Sequence, residues 1–201
     1  MRVLTVNCGS SSLKFDLLDA TGSGVRRLAG GIVERVGHSP RLVFSSSEGR
    51  IDRDVEAGDH AAAFRQAAGV LAEAGLTPGI GAAGFRVVHG GARFRQPALL
   101  DDAVLAAIEA AGVLAPLHNR PALAAVRAAR AELPATPLVA TFDTAYFAGL
   151  PEVAAQYALP RDLSARLGIR RFGFHGLAHR YMVERYQALR PEVDKARLIT
   201  F

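Results

Sequence analysis

The chain of 201 residues has one cysteine, no tryptophan and only two lysines, and each scarcity narrows what it can be. A single thiol, Cys8, allows neither a disulfide framework nor a cysteine-ligated metal site. No uninterrupted apolar run reaches the about 18 residues that a membrane-crossing helix requires. The N-terminus MRVLTVN reads as a strand, with no basic segment leading into a long apolar one, so a secretory leader is not expected. Because lysine is nearly missing, the formal charge of +5 rests on arginines, which are mixed with Asp and Glu rather than clustered. There is no basic run and no interleaving of basic with aromatic residues, which argues against nucleic acid and leaves a mild preference for anionic ligands. Linkers, low-complexity tracts and internal repeats are also lacking. Half the residues are hydrophobic, enough for a sizeable core, and a cytoplasmic globular chain is the expectation.

What is present begins with strands. Arg2 to Val6 and Ser12 to Leu18 alternate as a hairpin, and Gly24 to Val33 and Arg41 to Phe44 extend it as an antiparallel meander. Asp59 to Ala74 reads as a helix with Asp59 as cap and Gly75 as stop. A strand follows at Ala82 to Val88, then helices at Asp101 to Ala111 and Pro121 to Leu133, with a Pro-rich junction, Ala115 to Pro121, between them. Leu138 to Phe142 is a short strand ending at Asp143; Asp162 to Leu167 and His175 to Leu189 read as later helices, and Arg197 to Phe201 as a strand. A meander followed by alternating strands and helices predicts an α/β fold with a mixed sheet.

Several polar residues fall at strand ends, where α/β sheets place their sites. Asn7-Cys8-Gly9-Ser10-Ser11-Ser12-Leu13-Lys14 lies between two strands. Its residues suit a phosphate cradle, with converging N–H groups, hydroxyls and a lysine, and equally suit an ordinary hairpin turn. It is neither a Walker loop nor a dinucleotide loop, since no Gly-Lys-Ser/Thr follows and it opens a strand rather than a helix. Arg86 lies on a strand with apolar neighbours and, if turned inwards, needs an anionic partner. His118 and Asn119 stand at a helix entry, where donors to an anion are available, and Asp143 stands between a strand and the next helix, as a site acid or an N-cap. His175 and His179 are spaced as zinc ligands could be, but no Glu of an H-E-x-x-H pattern lies between them, so metal ligation there is not expected.

Taken together, VNCGSSSLKF (6–15), FRVVHGG (85–91), LAPLHN (114–119), TFDTAY (141–146), YALP (157–160) and GIRRFGFHG (168–176) resemble, in order, the motifs of the acetate kinases within the acetate and propionate kinase family. The resemblance implies an actin-like (ribonuclease-H-like) ATPase lobe, with 1–150 as the first lobe and 151–201 as a continuation towards a second. It implies reversible phosphoryl transfer from ATP to acetate or propionate, giving acetyl phosphate (or its homologue) and ADP, with Mg²⁺. It implies that Asn7 helps hold the metal, that Lys14, Ser10 and Ser12 meet nucleotide phosphate, and that Arg86 binds the carboxylate. Asp143, His118 and His175 become catalytic, and Val88, Leu117 and Phe174 wall the methyl pocket. Acetate is already ionised at neutral pH, so Asp143 is expected to orient Arg86 or a metal-bound water rather than to act mainly as a base.

Three positions depart from the family pattern: Arg120 where proline is usual, Leu177-Ala178 where Thr-Ser is usual, and Phe147 in place of a common histidine. The chain reads as the N-terminal half of such a kinase, without the second phosphate loop, adenine pocket and acidic metal ligand, and is expected to be inactive alone. The alternative is a non-catalytic carboxylate- or phosphate-binding half-domain that pairs with a separate second lobe. Homodimer formation and the choice between acetate and propionate are left open.

Overall fold

The computed structural model describes residues 1–22 and 24–201. In chain order the elements are β1 (Arg2–Cys8), β2 (Ser12–Asp19), β3 (Arg26–Glu34), β4 (Arg41–Ser46), β5 (Gly49–Asp54), α1 (His60–Glu73), β6 (Ile80–Val87), β7 (Ala98–Leu99), α2 (Asp102–Ala111), α3 (Pro116–Glu132), β8 (Leu138–Phe142), a single 3-10 turn (Ala145–Phe147), α4 (Glu152–Ala155), α5 (Arg161–Leu167) and α6 (Gly176–Leu189). They form one eight-stranded mixed sheet in the order β5-β4-β3-β2-β1-β6-β8-β7. β1 to β5 are the antiparallel meander, β6 and β8 run parallel to β1, and β7 is a short antiparallel edge.

Two rows of side chains across this sheet decide what the molecule does. One row, Phe44–Gly31–Phe15–Val6–Phe85–Ala140, runs in register across six strands and faces helices α1 and α3. Its apolar members are all 3% exposed or less. Gly31 has to be glycine, because a Cβ would meet the Val43 carbonyl at 2.4 Å and the Phe15 ring at 2.9 Å. The gap it leaves lets Phe15 and Phe44 stack across β3 with centroids 6.2 Å apart. The next row, Lys14–Asn7–Arg86–Thr141, is one residue further along each strand and therefore lies on the opposite face. Strand alternation thus puts a cationic polar row behind the hydrophobic one, at the end of the sheet where the Gly-Ser loop turns.

The cap expected at Asp59 forms, accepting from the Ala62 N–H, and Asp101, expected inside its helix, caps α2 by accepting from the Val104 N–H, both at 2.7 Å. Three expectations change. The Ala115 to Pro121 junction is helical from Pro116 onwards. Pro116 occupies the first helical position, where its missing N–H costs nothing, and Pro121 deprives only the carbonyl of Leu117, an exposed residue that water can serve. Arg197 to Phe201 pairs with no strand; it is held by a hydrogen bond between His179 Nδ1 and Thr200 Oγ1 at 2.7 Å. β5 is additional: its sequence GRIDRD has one apolar residue, and it is held by the ladder to β4 and by Arg41 donating to Asp52 at 2.6 Å. Among the described residues no helix is long and apolar enough to cross a membrane.

Candidate active site

Arg86 follows Phe85 and precedes Val87, both 1% exposed on the helix side, so the pleat turns the arginine to the other face. There it meets Asp143, 57 residues away, with Nη2 donating to Oδ2 at 2.6 Å and Nε shared between the two carboxylate oxygens at 3.1 and 3.2 Å. Nη1 donates to Asn7 Oδ1 at 3.1 Å. A guanidinium has five N–H bonds; these contacts use three and leave one on each Nη nitrogen. Charge-assisted donors of this kind are what a carboxylate or phosphoryl group takes up.

Asp143 is 1% exposed, so its charge is held almost entirely by that arginine. Its backbone ties the site together as well. The Asp143 N–H donates to the Val87 carbonyl at 3.1 Å, carrying the β6–β8 ladder one step further, and its carbonyl accepts from the Gly176 N–H at 3.1 Å. Gly176 begins α6 so close to this carbonyl that a Cβ there would stand 2.0 Å from the oxygen. The preceding His175 turns into the left-handed region, at φ 55° and ψ 24°, to cap the helix. Asp143 is not itself the N-cap that its position before a helical turn allowed, since its carboxylate is engaged with Arg86.

Arg86, Val88, Leu117, His118, Phe174 and His175 line one open cavity of about 370 Å³. Six of the residues singled out from the sequence therefore converge, from β6, the first turn of α3 and the segment before α6. Lys14, exposed, stands in register beside Asn7 on the neighbouring strand. The Gly-Ser loop is a hairpin turn closed by Gly9 N–H to Ser12 carbonyl at 2.8 Å. Its carbonyls point back into the protein, Ser11 accepting from Val36 N–H at 2.9 Å and Gly9 from His60 Nε2 at 2.8 Å. His60 is consequently a donor at Nε2. The N–H groups of Ser10 and Ser11 have no partner among the described residues. A larger cavity, about 490 Å³, lies among α4, α5 and Arg95 and contains none of these residues.

Asn7 was expected to help hold a metal; its side-chain oxygen accepts from the Arg86 guanidinium. Both oxygens of Asp143 are engaged with the same guanidinium, and no group of three His, Cys, Asp or Glu capable of holding an ion exists among the described residues. An amide oxygen has a second lone pair, and magnesium takes only one or two protein oxygens beside phosphate and water, so this bond leaves Asn7 able to contribute one ligand. Asn119 departs from expectation: it is 0% exposed and bonded to main chain, out of reach of any anion. Cys8 is buried, which pushes its thiol up to about 12, so it is an inert core residue.

Sequence reasoning missed His89 and Thr144. His89, 2% exposed, accepts the Gly91 N–H at Nδ1 (2.9 Å) and sets its ring against Phe172 at 4.6 Å and Phe174 at 5.6 Å. Burial holds its imidazole below the usual histidine range. Thr144 accepts from the Gly90 N–H at 3.0 Å. Both belong to quoted motifs, but nothing in a single sequence tells a buried anchor from a site-facing group there.

The solved structures that share this fold are kinases of small carboxylates. A propionate kinase from Francisella tularensis superposes with a TM-score of 0.86 at 35% identity, over 94% of this chain and 48% of that one. An acetate kinase from Porphyromonas gingivalis superposes with a TM-score of 0.85 at 36% identity, over 96% and 49%. The mixed sheet with its helices is therefore the actin-like lobe of these enzymes. A model of the acetokinase family matches residues 2–201, and the chain belongs to that family. It is 42% identical over 202 residues to an acetate kinase of Deinococcus deserti, covering all of this chain and 50% of the relative. It is 44% identical over 187 residues to an acetate kinase of Streptomyces avermitilis, covering 90% and 46%. The chain spans about half the length of the curated relatives it matches.

Proposed function

We propose that this chain supplies the carboxylate side of a kinase cleft that transfers a phosphoryl group between ATP and acetate or propionate, giving the acyl phosphate and ADP. The observation that carries the reading is the cavity itself. A guanidinium with one uncommitted N–H on each terminal nitrogen, fixed by a buried aspartate, lies at one end, and Val88, Leu117 and Phe174 supply apolar walls. Residues 1–150 act as the first lobe and 151–201 lead towards a second, which supplies the adenosine contacts in the same or another chain.

Phosphoryl transfer asks the protein for positioning and for neutralisation of spread-out negative charge, not for covalent help. Arg86 binds the carboxylate oxygens. Asp143 orients that guanidinium and offsets its charge, so Lys14 supplies the remaining positive charge on the moving phosphoryl, with His118, His175, Ser10 and Ser12 as hydrogen-bonding groups around it. Asp143 needs to take no proton, because the attacking carboxylate carries none at neutral pH. Asn7, whose side-chain oxygen keeps a lone pair beyond its bond to Arg86, would hold one position of a magnesium ion otherwise carried by nucleotide phosphate and water. A reducing cytoplasm, where an unpaired thiol is stable, is the proposed location.

The test is a hydroxamate assay for acetyl phosphate with ATP and acetate, run on the chain alone and with a separately produced second half of a relative. The expected result is silence alone and turnover on complementation, abolished by Arg86→Ala. Turnover alone at the complemented rate would refute the need for a second lobe. Absence of both turnover on complementation and acetate binding would refute the function.

A further inference from the structure

The pocket wall that carries Val88 has no strand beneath it. β6 ends at Val87, and Val88–Gly91 pass the cavity as irregular backbone. Asn119 does what a neighbouring strand would do. Its Nδ2 donates to the His89 carbonyl at 2.9 Å and to the Ile108 carbonyl at 3.3 Å, while its Oδ1 accepts from the His89 N–H at 3.2 Å. One primary amide thus grips both polar groups of a single residue, as an antiparallel partner does, and ties them to the end of α2. From the other side Thr144 holds the Gly90 N–H. Gly90 is packed so tightly that a Cβ would lie 2.9 Å from the Phe142 ring and 3.0 Å from Phe94. Two residues before Asn119, on the first turn of the same helix, Leu117 lines the cavity together with Val88.

We propose that Asn119 is a positioning residue that fixes the separation of the Val88 and Leu117 walls, and with it the preference of the pocket for acetate over longer carboxylates. The inference rests on reading this cavity as the carboxylate site. Asn119 touches no ligand, since it is wholly buried, and acts through the two walls it joins. A frame locked by hydrogen bonds meets an extra methylene with overlap; a frame that can spread admits it.

The test measures dissociation constants of acetate and butyrate by ligand-observed NMR for the parent chain, Asn119→Ala and Asn119→Asp. The aspartate variant keeps the shape but sets a carboxylate against two carbonyls. In a folded variant the acetate-to-butyrate preference is expected to fall by about fivefold or more, mainly through tighter butyrate, well within the about 10–200-fold that each of butyrate's two extra methylenes commands in an apolar pocket. A folded variant with the parent ratio overturns the inference and leaves the site reading standing. A parent chain that binds neither acid overturns both. A further measurement needs no variant: in the parent, the His89 and Gly90 amides must exchange with solvent as slowly as those of β6. Exchange at the rate of an open loop overturns the clamp.

Discussion

Removing either partner of the Arg86–Asp143 pair should harm the chain, but unequally, and the inequality follows from burial. Asp143 is 1% exposed and the Arg86 side chain 26% exposed. Arg86→Ala strands a buried carboxylate, a situation that costs about 3–5 kcal/mol. Asp143→Ala leaves a guanidinium that keeps Asn7 Oδ1 and can turn towards water, so the loss is that of charge-assisted hydrogen bonds alone, about 1–2 kcal/mol. Urea unfolding of the parent and both variants at pH 7.5, with midpoints compared at constant m, reads the difference directly. Equal losses in the two variants, or a larger loss for Asp143→Ala, would refute the claim that Asp143 is a buried charge held by Arg86.

Two glycine-to-alanine changes should have opposite signs. Gly69→Ala, exposed inside α1 with open space where the Cβ would go, should stabilise by about 1 kcal/mol. Gly176→Ala puts a carbon 2.0 Å from the Asp143 carbonyl oxygen, forcing α6 and His175 outward, and should destabilise by about 1–3 kcal/mol; thermal or urea unfolding checks both, and a neutral Gly176→Ala would sink the account. His89 makes stability depend on pH. Its folded pKa lies below the ordinary 6.5, so the unfolded state takes up protons first, and stability is lost as pH drops from about 6.5 towards the folded value. His89→Phe should flatten that loss in unfolding midpoints taken between pH 7.5 and 5.5.

The hairpin, the first two helices and the parallel strands were legible in the sequence because their signals are local: period-two alternation, and Asp caps three residues ahead of a bonded N–H. β5 was hidden because an edge strand exposed on both faces has no hydrophobic face to write into its sequence. The start of α3 was hidden because proline reads as a breaker, although Pro116 stands where proline favours a helix. The need of Arg86 for an anion could be read from its strand, but not which acid met it, since the partner lies 57 residues on. Asn119 left a signal that helix spacing contains: Ala122, Leu123 and Val126 follow it at three, four and seven residues, all buried. An amide on that stripe belongs to the core and must be bonded there. The bond from Arg86 to Asn7 Oδ1 was not legible either, because its partners lie on different strands, 79 residues apart.

The sheet also controls how this chain can meet others. Its outer border is GRIDRD, in which Asp52 pairs with Arg41 and Arg50, and Arg53 pairs with Glu73, and its other border is a strand of two residues. A strand from a second molecule would have to dock against charge at one border and would find almost no ladder at the other. Growth of the sheet from chain to chain is disfavoured at both borders, which leaves its eight strands a private structure.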